Sequence, residues 1–163
     1  QCPSLTHLEL NMQGDQWQYI DTSIITHLMP VFERLRVLKL GSCINLTDEA
    51  VLVISELCSN VTHLSLFGAV QLTDTGVGHL RTMPSLTNLD LSSCSAIGNE
   101  SCTHLASLSS LSFVDLCCCV GIADDGLRAL GSSATLRQVL VHGCTGLSSC
   151  GLKSLPRWIC VSC

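Results

Sequence analysis

The chain has 163 residues, of which eight are basic and 13 are acidic, and its formal net charge at pH 7 is −5. Nucleic acids and anionic membranes bind through clustered lysines and arginines. The eight basic residues here are scattered, so both are poor partners and a protein is the expected one. Hydrophobic residues make up 47% of the chain and aromatic residues only 4%. Apolar runs are only a few residues long, far below the roughly 18 needed to span a membrane, so this composition predicts a buried aliphatic core.

Six copies of a short phrase, L-x-x-L-x-L, recur along the chain, with valine replacing leucine at some positions. Consecutive copies start 30, 26, 25, 25 and 25 residues apart, and such a period predicts a stack of similar units. One unit cannot bury its apolar residues alone, so each must pack on its neighbours. The copies begin at Leu5, Leu35, Val61, Leu86, Leu111 and Leu136. They divide a single domain into six units, at about 5–34, 35–60, 61–85, 86–110, 111–135 and 136–160.

Each copy predicts a short strand, because side chains in a strand alternate between its two faces. The leucines point inward, and the residues between them face solvent. A helix follows each strand and buries residues at i, i+3 spacing, such as Val51 and Ile54. The helices should begin at N-cap residue types, whose side-chain oxygens accept hydrogen bonds from unpaired backbone N–H groups. The expected helix starts are 47–48, 73–74, 99–100, 124–125 and 148–149.

The pattern L-x-x-L-x-L-x-x-C-x-x-L-T-D-x-G-L-x-x-L resembles the cysteine-containing subclass of leucine-rich repeats. Ala69 replaces the cysteine in the third unit, and the first unit has an insertion, Met12–Tyr19, where its cysteine should be. The resemblance implies an α/β leucine-rich-repeat solenoid, a curved horseshoe with a parallel sheet on its concave face and helices on its convex face. The segments that match the pattern best are 35–48, 72–80 and 86–94.

Repeats of this subclass are typical of F-box leucine-rich-repeat proteins, the substrate-recognition subunits of cullin–RING ubiquitin ligases. The resemblance implies a non-catalytic module that binds a protein on the concave sheet, with cullin–RING components as further candidate partners. No F-box segment lies within these residues. A structural scaffold subunit of a large intracellular assembly is the alternative, and an extracellular recognition module with disulfide caps and glycans is a third. Neither end supplies an obvious polar cap, so we expect a segment of a longer chain.

The positions of the twelve cysteines are explained by the repeat better than by disulfide pairing. Cys160 falls where Cys58 does, at the boundary between two units, and Cys117 is expected to be the most exposed thiol. Unpaired thiols predict a reducing, intracellular location, cytoplasmic or nuclear, and the three Asn-x-Ser/Thr sequences are attributed to chance. Four cysteines share one position after the strand, where we expect a ladder of buried thiols with weak hydrogen bonds to loop carbonyls: Cys43, Cys94, Cys119 and Cys144.

No arrangement of residues indicates catalysis, a cofactor or a metal site, so the protein is not expected to be an enzyme. The one C-x-x-C pair, Cys160 and Cys163, lacks the second pair that a tetrahedral zinc site requires. His7 and His63 are expected two strands apart, too far to share an ion. The outer helical layer should carry His27, His79 and His104.

The outward strand positions define the candidate binding surface. Phe67 and Phe113 should lie on this solvated face, where an aromatic ring loses its burial energy unless a partner covers it. Asp90 and Asp115 occupy the same position on adjacent strands, as an acidic pair that a lysine or arginine of a partner could neutralise. The residues predicted to bind the partner are Phe67, Asp90, Phe113, Asp115, His63, Lys39 and Leu140.

Overall fold

The computed structural model describes residues 5–10 and 32–162. The expected insertion at Met12–Tyr19, His27 and the last cysteine, Cys163, lie outside the described residues. In the described part of the chain, no helix combines the length and the apolar composition required to cross a bilayer.

The described residues form one parallel sheet of seven short strands, whose spatial order follows their order in the chain. Successive strands pair in register, so that the inward residues Leu38, Leu64, Leu89 and Val114 lie side by side. This arrangement confirms the predicted α/β solenoid. The strands are β1 (His7–Glu9), β2 (Val37–Lys39), β3 (His63–Ser65), β4 (Asn88–Asp90), β5 (Phe113–Asp115), β6 (Gln138–Leu140) and β7 (Cys160–Ser162).

Five helices among the described residues cover the other side of the sheet, each packed on the next. Their apolar faces and the inward strand residues share one buried core, in which Val51, Ile54 and Leu127 are fully enclosed. The helices are α1 (Asp48–Leu57), α2 (Asp74–His79), α3 (Asn99–Ala106), α4 (Asp124–Leu130) and α5 (Ser149–Ser154), and a 3-10 turn (Leu80–Thr82) follows α2.

The last repeat is shorter than the sequence period suggests, and the expectation for Cys160 is wrong. Cys160 does not lie buried at a boundary as Cys58 does. It is exposed and begins β7, opposite Gln138. A proline disfavours helical backbone in the residue before it, and Leu155, which precedes Pro156, has ψ 140°. Helix α5 therefore ends early, and the chain returns to the sheet after fewer residues.

The cysteine ladder is confirmed. Its four thiols are buried, and three donate to the backbone carbonyl of the residue that follows the strand in the preceding repeat. Cys94 Sγ lies 3.3 Å from Leu66 O, and Cys144 Sγ lies 3.0 Å from Leu116 O. Burial raises the pKa of Cys94 to about 12. These thiols therefore act as small apolar groups that connect neighbouring repeats.

The predicted helix caps form in only part of the array. Thr73 accepts from Thr75 N at 3.2 Å, and Ser148 accepts from the second and third residues of α5. Gly98 and Ala123 occupy the corresponding positions before α3 and α4. Asn99 and Asp124 therefore do not cap their own helices, because they are already the first helical residues.

Instead, the first residue of each helix supplies an acceptor to the start of the next helix. Asp74 Oδ1 accepts from Gly98 N at 2.7 Å and from Ser101 N at 3.0 Å, and it also accepts from Ser101 Oγ. Asn99 Oδ1 does the same with Ala123 N at 2.9 Å. The acceptors that link successive helices are Asp48, Asp74, Asn99 and Asp124.

This link explains the glycine of the T-D-x-G motif. A Cβ on Gly76 would lie 2.2 Å from Asp48 Oδ1, and one on Gly151 would lie 2.0 Å from Asp124 Oδ1. The side chain from the preceding repeat thus occupies the space that a larger residue would need.

Candidate functional site

The concave face contains a depression of about 440 Å³ at strands β2–β5. Five of the seven residues predicted to bind a partner line it: Lys39, His63, Phe67, Asp90 and Phe113. Asp115 and Leu140 do not line the depression, although they lie at the same level of the sheet on β5 and β6. Further lining residues are Gly41, Ser42, Leu64, Ser65, Asn88 and Leu89.

Phe67 is the exposed aromatic residue of the depression. It follows β3, is 40% exposed and directly precedes the turn residue Gly68, with φ +71°. Phe113 on β5 is half-buried and pairs with Asn88 on β4. The two rings therefore lie on the same face with β4 between them.

Asp90 and Asp115 each stabilise a turn, a structural role that the sequence analysis did not predict. Asp90 Oδ1 accepts from Ser92 N at 3.0 Å and from Ser92 Oγ at 2.6 Å, and Asp90 Oδ2 accepts from Ser65 Oγ at 2.8 Å. Asp115 Oδ1 accepts from Cys117 N at 2.9 Å. An aspartate bonded to the backbone two residues ahead stabilises a turn, and the Asp-x-Ser sequence at 90–92 was the available signal.

The two carboxylates are nevertheless uncompensated in charge. They pair directly across β4 and β5, and no cationic side chain of the described residues lies within 4 Å of either one. The nearby cation, Lys39, is bound to Glu9 at 3.1 Å instead. Like charges directly opposite each other in a sheet are unfavourable, so a cation placed here would gain from both.

The histidines of the sheet are arranged as predicted. His7 and His63 each have a neighbouring threonine hydroxyl near Nδ1, at 2.8 and 2.9 Å, and Val37 on β2 lies between them. Within residues 5–10 and 32–162, no three His, Cys, Asp or Glu side chains converge as a metal ion would require.

The expectation for the most exposed thiol is wrong. Cys117 is half-buried, whereas Cys118, the turn residue with φ 60°, is exposed. Cys117 Sγ lies 3.7 Å from His142 Nδ1. Desolvation, together with a hydrogen bond to Asp115, raises the pKa of Cys117 to about 11. This thiol therefore stays protonated near neutral pH and is a poor nucleophile.

Two exposed aliphatic residues beside the depression were also missed. Ile44 and Val70 are 38% and 44% exposed, and both lie in the turns that follow β2 and β3. The strand periodicity stops before these positions, so the sequence pattern gave no indication of which way they point.

The comparisons with known proteins agree with the fold. Residues 82–106 match a family model described as Leucine Rich repeat, which corresponds to about one repeat of this chain. A comparison with curated protein sequences found no match.

Several solved structures have the same architecture as this chain. A chain from the crystal structure of the Rad7 and Elc1 complex in yeast aligns with a TM-score of 0.68 and 22% identity, over 78% of this chain and 33% of that chain. Leiomodin-1 actin-binding site 2 aligns with a TM-score of 0.58 and 11% identity, over 83% of this chain and 85% of that one. A chain of the TLR13–ssRNA13 complex aligns with a TM-score of 0.50 and 14% identity, over 84% of this chain and 22% of that one.

These similarities show the fold alone. The chain spans about a third of the length of the aligned chain in the Rad7–Elc1 structure. The three proteins are described with different kinds of partner, so the ligand must be inferred from the side chains on the surface.

Proposed function

We propose that this chain is a non-catalytic module that binds another protein on its concave sheet, and that it forms the substrate-recognition repeats of an F-box-type ubiquitin ligase adaptor. The observation that carries the binding proposal is the depression with Phe67 at its edge. Binding energy in protein interfaces concentrates in aromatic residues that a partner can enclose. Here such a ring lies accessible beside a second ring, Phe113, and an uncompensated carboxylate, Asp90.

Charge supports a protein ligand over a nucleic acid. A phosphate backbone requires several lysines or arginines on the bound face. The depression contains a single lysine, already paired with Glu9, and it also contains Asp90. A protein segment can instead bring apolar side chains to the two rings.

The ligase role rests on the resemblance of the repeats to those of F-box leucine-rich-repeat proteins. The similar chain in the Rad7 and Elc1 structure comes from a complex of two proteins, which is consistent with a role in assembly. A scaffold subunit would use the same concave face in a permanent complex, so the composition of the bound complex distinguishes the two roles.

The test is affinity capture with the full-length protein as bait, followed by mass spectrometry. The bait is compared with a Phe67→Ser/Phe113→Asn variant. Each new residue is the one that the fourth repeat carries at the equivalent position, Ser92 and Asn88, so the stack should remain intact. Trp158→Ser is the matched control, because Trp158 is an aromatic residue with 60% exposure that does not line the depression.

Recovery of cullin–RING components together with a protein that the double variant loses would support the adaptor role. Stoichiometric recovery of one large complex without those components would favour the scaffold. If the double variant and the Trp158→Ser control retain every partner equally, binding on the concave face is refuted.

A further inference from the structure

The turns that follow β2–β6 form one edge of the solenoid, which we call the exit edge. Their residues, 41–47, 67–73, 92–98, 117–123 and 142–148, include no Asp, Glu, Lys or Arg. The residue after the ladder position lies exposed in each turn. Three of the five turns place an aliphatic side chain there, and two place a hydroxyl side chain. These residues are Ile44, Val70, Ser95, Val120 and Thr145.

Ile44, Phe67 and Val70 are exposed apolar residues of two adjacent turns, and we call these three residues the exit patch. Their two turns are held together by a backbone hydrogen bond from Ser42 N to Phe67 O, at 2.6 Å. A side-chain bond from Gln71 Nε2 to Asn45 Oδ1, at 3.2 Å, joins the same turns. Each of the three side chains is between 38% and 44% exposed, so both turns present apolar surface to solvent.

Val120 is more exposed, at 54%, but it stands alone. Its neighbours at the same position along the edge are Ser95 and Thr145, and the adjoining residues are small. A contiguous exposed apolar area on a soluble protein indicates an interaction surface, whereas a single exposed side chain does not.

The exit patch continues the concave depression. Phe67 belongs to both surfaces, and Ser42 lines the depression two residues before Ile44. Along the strand direction, the carboxylate of Asp90 comes first, the Phe67 position second and the aliphatic turn residues last. A ligand lying along this path meets negative charge and then apolar surface.

We propose that the protein bound on the concave face continues over the exit edge, as a segment in which an arginine or lysine stands beside aliphatic side chains. The basic group lies between Asp90 and Asp115, where no cation of the described residues compensates their charge. The aliphatic groups cover Ile44, Phe67 and Val70. Such charge complementarity fixes the direction of the segment, and apolar burial supplies affinity. This inference rests on the proposed function and adds to it the chemistry of the partner.

The test is a selection of phage-displayed random 12-residue peptides on the purified full-length protein. The best enriched peptide is then synthesised, and its affinity is measured by fluorescence anisotropy. The Asp90→Asn/Asp115→Asn variant removes the charges but keeps the oxygens that hold the turns. The Ile44→Ser/Val70→Ser variant removes the aliphatic groups, and Val120→Ser is its matched control at the same repeat position. Ser95 shows that the position accepts serine.

We expect the enriched peptides to combine a basic residue with aliphatic residues. Each double variant should weaken binding about tenfold, and Val120→Ser should change it less than about twofold. Enrichment of acidic peptides, absence of enrichment, or equal affinity for wild type and the Ile44→Ser/Val70→Ser variant would overturn the inference. Dimerisation or binding to phosphatidylcholine vesicles that depends on Ile44 and Val70 would also overturn it.

The Phe67→Ser/Phe113→Asn variant, which alters the concave face, distinguishes failure of this inference from failure of the proposed function. If Phe67→Ser/Phe113→Asn abolishes peptide binding and Ile44→Ser/Val70→Ser does not, the concave site stands, and Ile44 and Val70 are no part of it. If the Phe67→Ser/Phe113→Asn variant binds the peptide as wild type does, both proposals fail.

Discussion

Replacing Asp74 by alanine removes the side chain that connects helix α2 with the start of helix α3. Its Oδ1 atom accepts hydrogen bonds from the backbone N–H groups of Gly98 and Ser101 and from the Ser101 hydroxyl. Ser101 is fully buried, so water cannot easily replace the lost acceptor at the hydroxyl.

The magnitude follows from these three donors. Loss of an acceptor at a helix start costs about 1 kcal/mol, and an unsatisfied buried hydroxyl costs about 1–3 kcal/mol. Asp74→Ala should therefore lower the free energy of unfolding by about 2–4 kcal/mol. Asp74→Asn keeps an acceptor oxygen, as Asn99 does one repeat later. It loses only the favourable interaction of the charge with the helix dipole, which is worth about 0.3–1 kcal/mol.

The assay is urea unfolding followed by far-UV circular dichroism, with the midpoint and the slope compared among variants. Asp125→Ala is the control, because Asp125 is exposed and bonds only to Arg128 among the described residues. Its loss removes an exposed ion pair and one charge from the first turn of α4, so it should lower the free energy of unfolding by less than about 1 kcal/mol. The reasoning is refuted if Asp74→Asn is as unstable as Asp74→Ala, since charge and not the acceptor would then matter. It is equally refuted if Asp74→Ala costs less than about 1 kcal/mol.

Three further outcomes follow from the turns and the ladders. Cys118→Gly should raise the free energy of unfolding, measured in urea, by about 0.5–1 kcal/mol. The reason is that glycine relieves about 1–2 kcal/mol of strain from the left-handed backbone, which exceeds its entropy cost. Gly143→Ala, at a position with φ +74°, should lower the free energy of unfolding. Hydrogen bonds from Ser148 hold the pKa of Asp124 below its ordinary value of 3.8, so its stabilising contribution is present above that value and is lost as the pH falls through the folded-state pKa. Acid titration of unfolding should therefore show a wild-type advantage over Asp124→Ala near neutral pH that shrinks in strong acid, and a constant difference would contradict this. Iodoacetamide at pH 8 should label Cys118 but not its neighbour Cys119 in the native protein, as peptide mass mapping would show, with both labelled in urea.

The strands and the core were predictable because they depend on a local pattern. Alternation around Leu38, Leu64 and Leu89 requires a strand with one buried face, and the period near 25 residues requires these strands to stack in register. The cysteine ladder was predictable for the same reason, since one residue type returns at one position.

The caps could not be predicted in the same way, because their partners lie in another repeat. The side chain of Asp74 bonds to residues 24 and 27 positions away, whereas capping rules describe bonds within one helix start. The exposed thiol was missed for a different reason. Strand alternation pointed to Cys117, but the strand ends at Asp115 and alternation no longer applies in the turn, where Cys118 is the exposed residue.

Two of the candidate binding residues, Phe67 and Phe113, differ from the structural residues because they interrupt the repeat. Positions that stack the units carry similar groups throughout, such as the acceptor oxygens of Asp48, Asp74, Asn99 and Asp124. The position of Phe67 holds asparagine, glycine, serine, cysteine or histidine in the other units, so stacking does not require an aromatic ring there. An exposed aromatic ring beside a second ring, at a position that stacking leaves free, supports the proposed binding surface. For the same reason, exchanging such residues for those of a neighbouring unit should remove binding while leaving the fold intact.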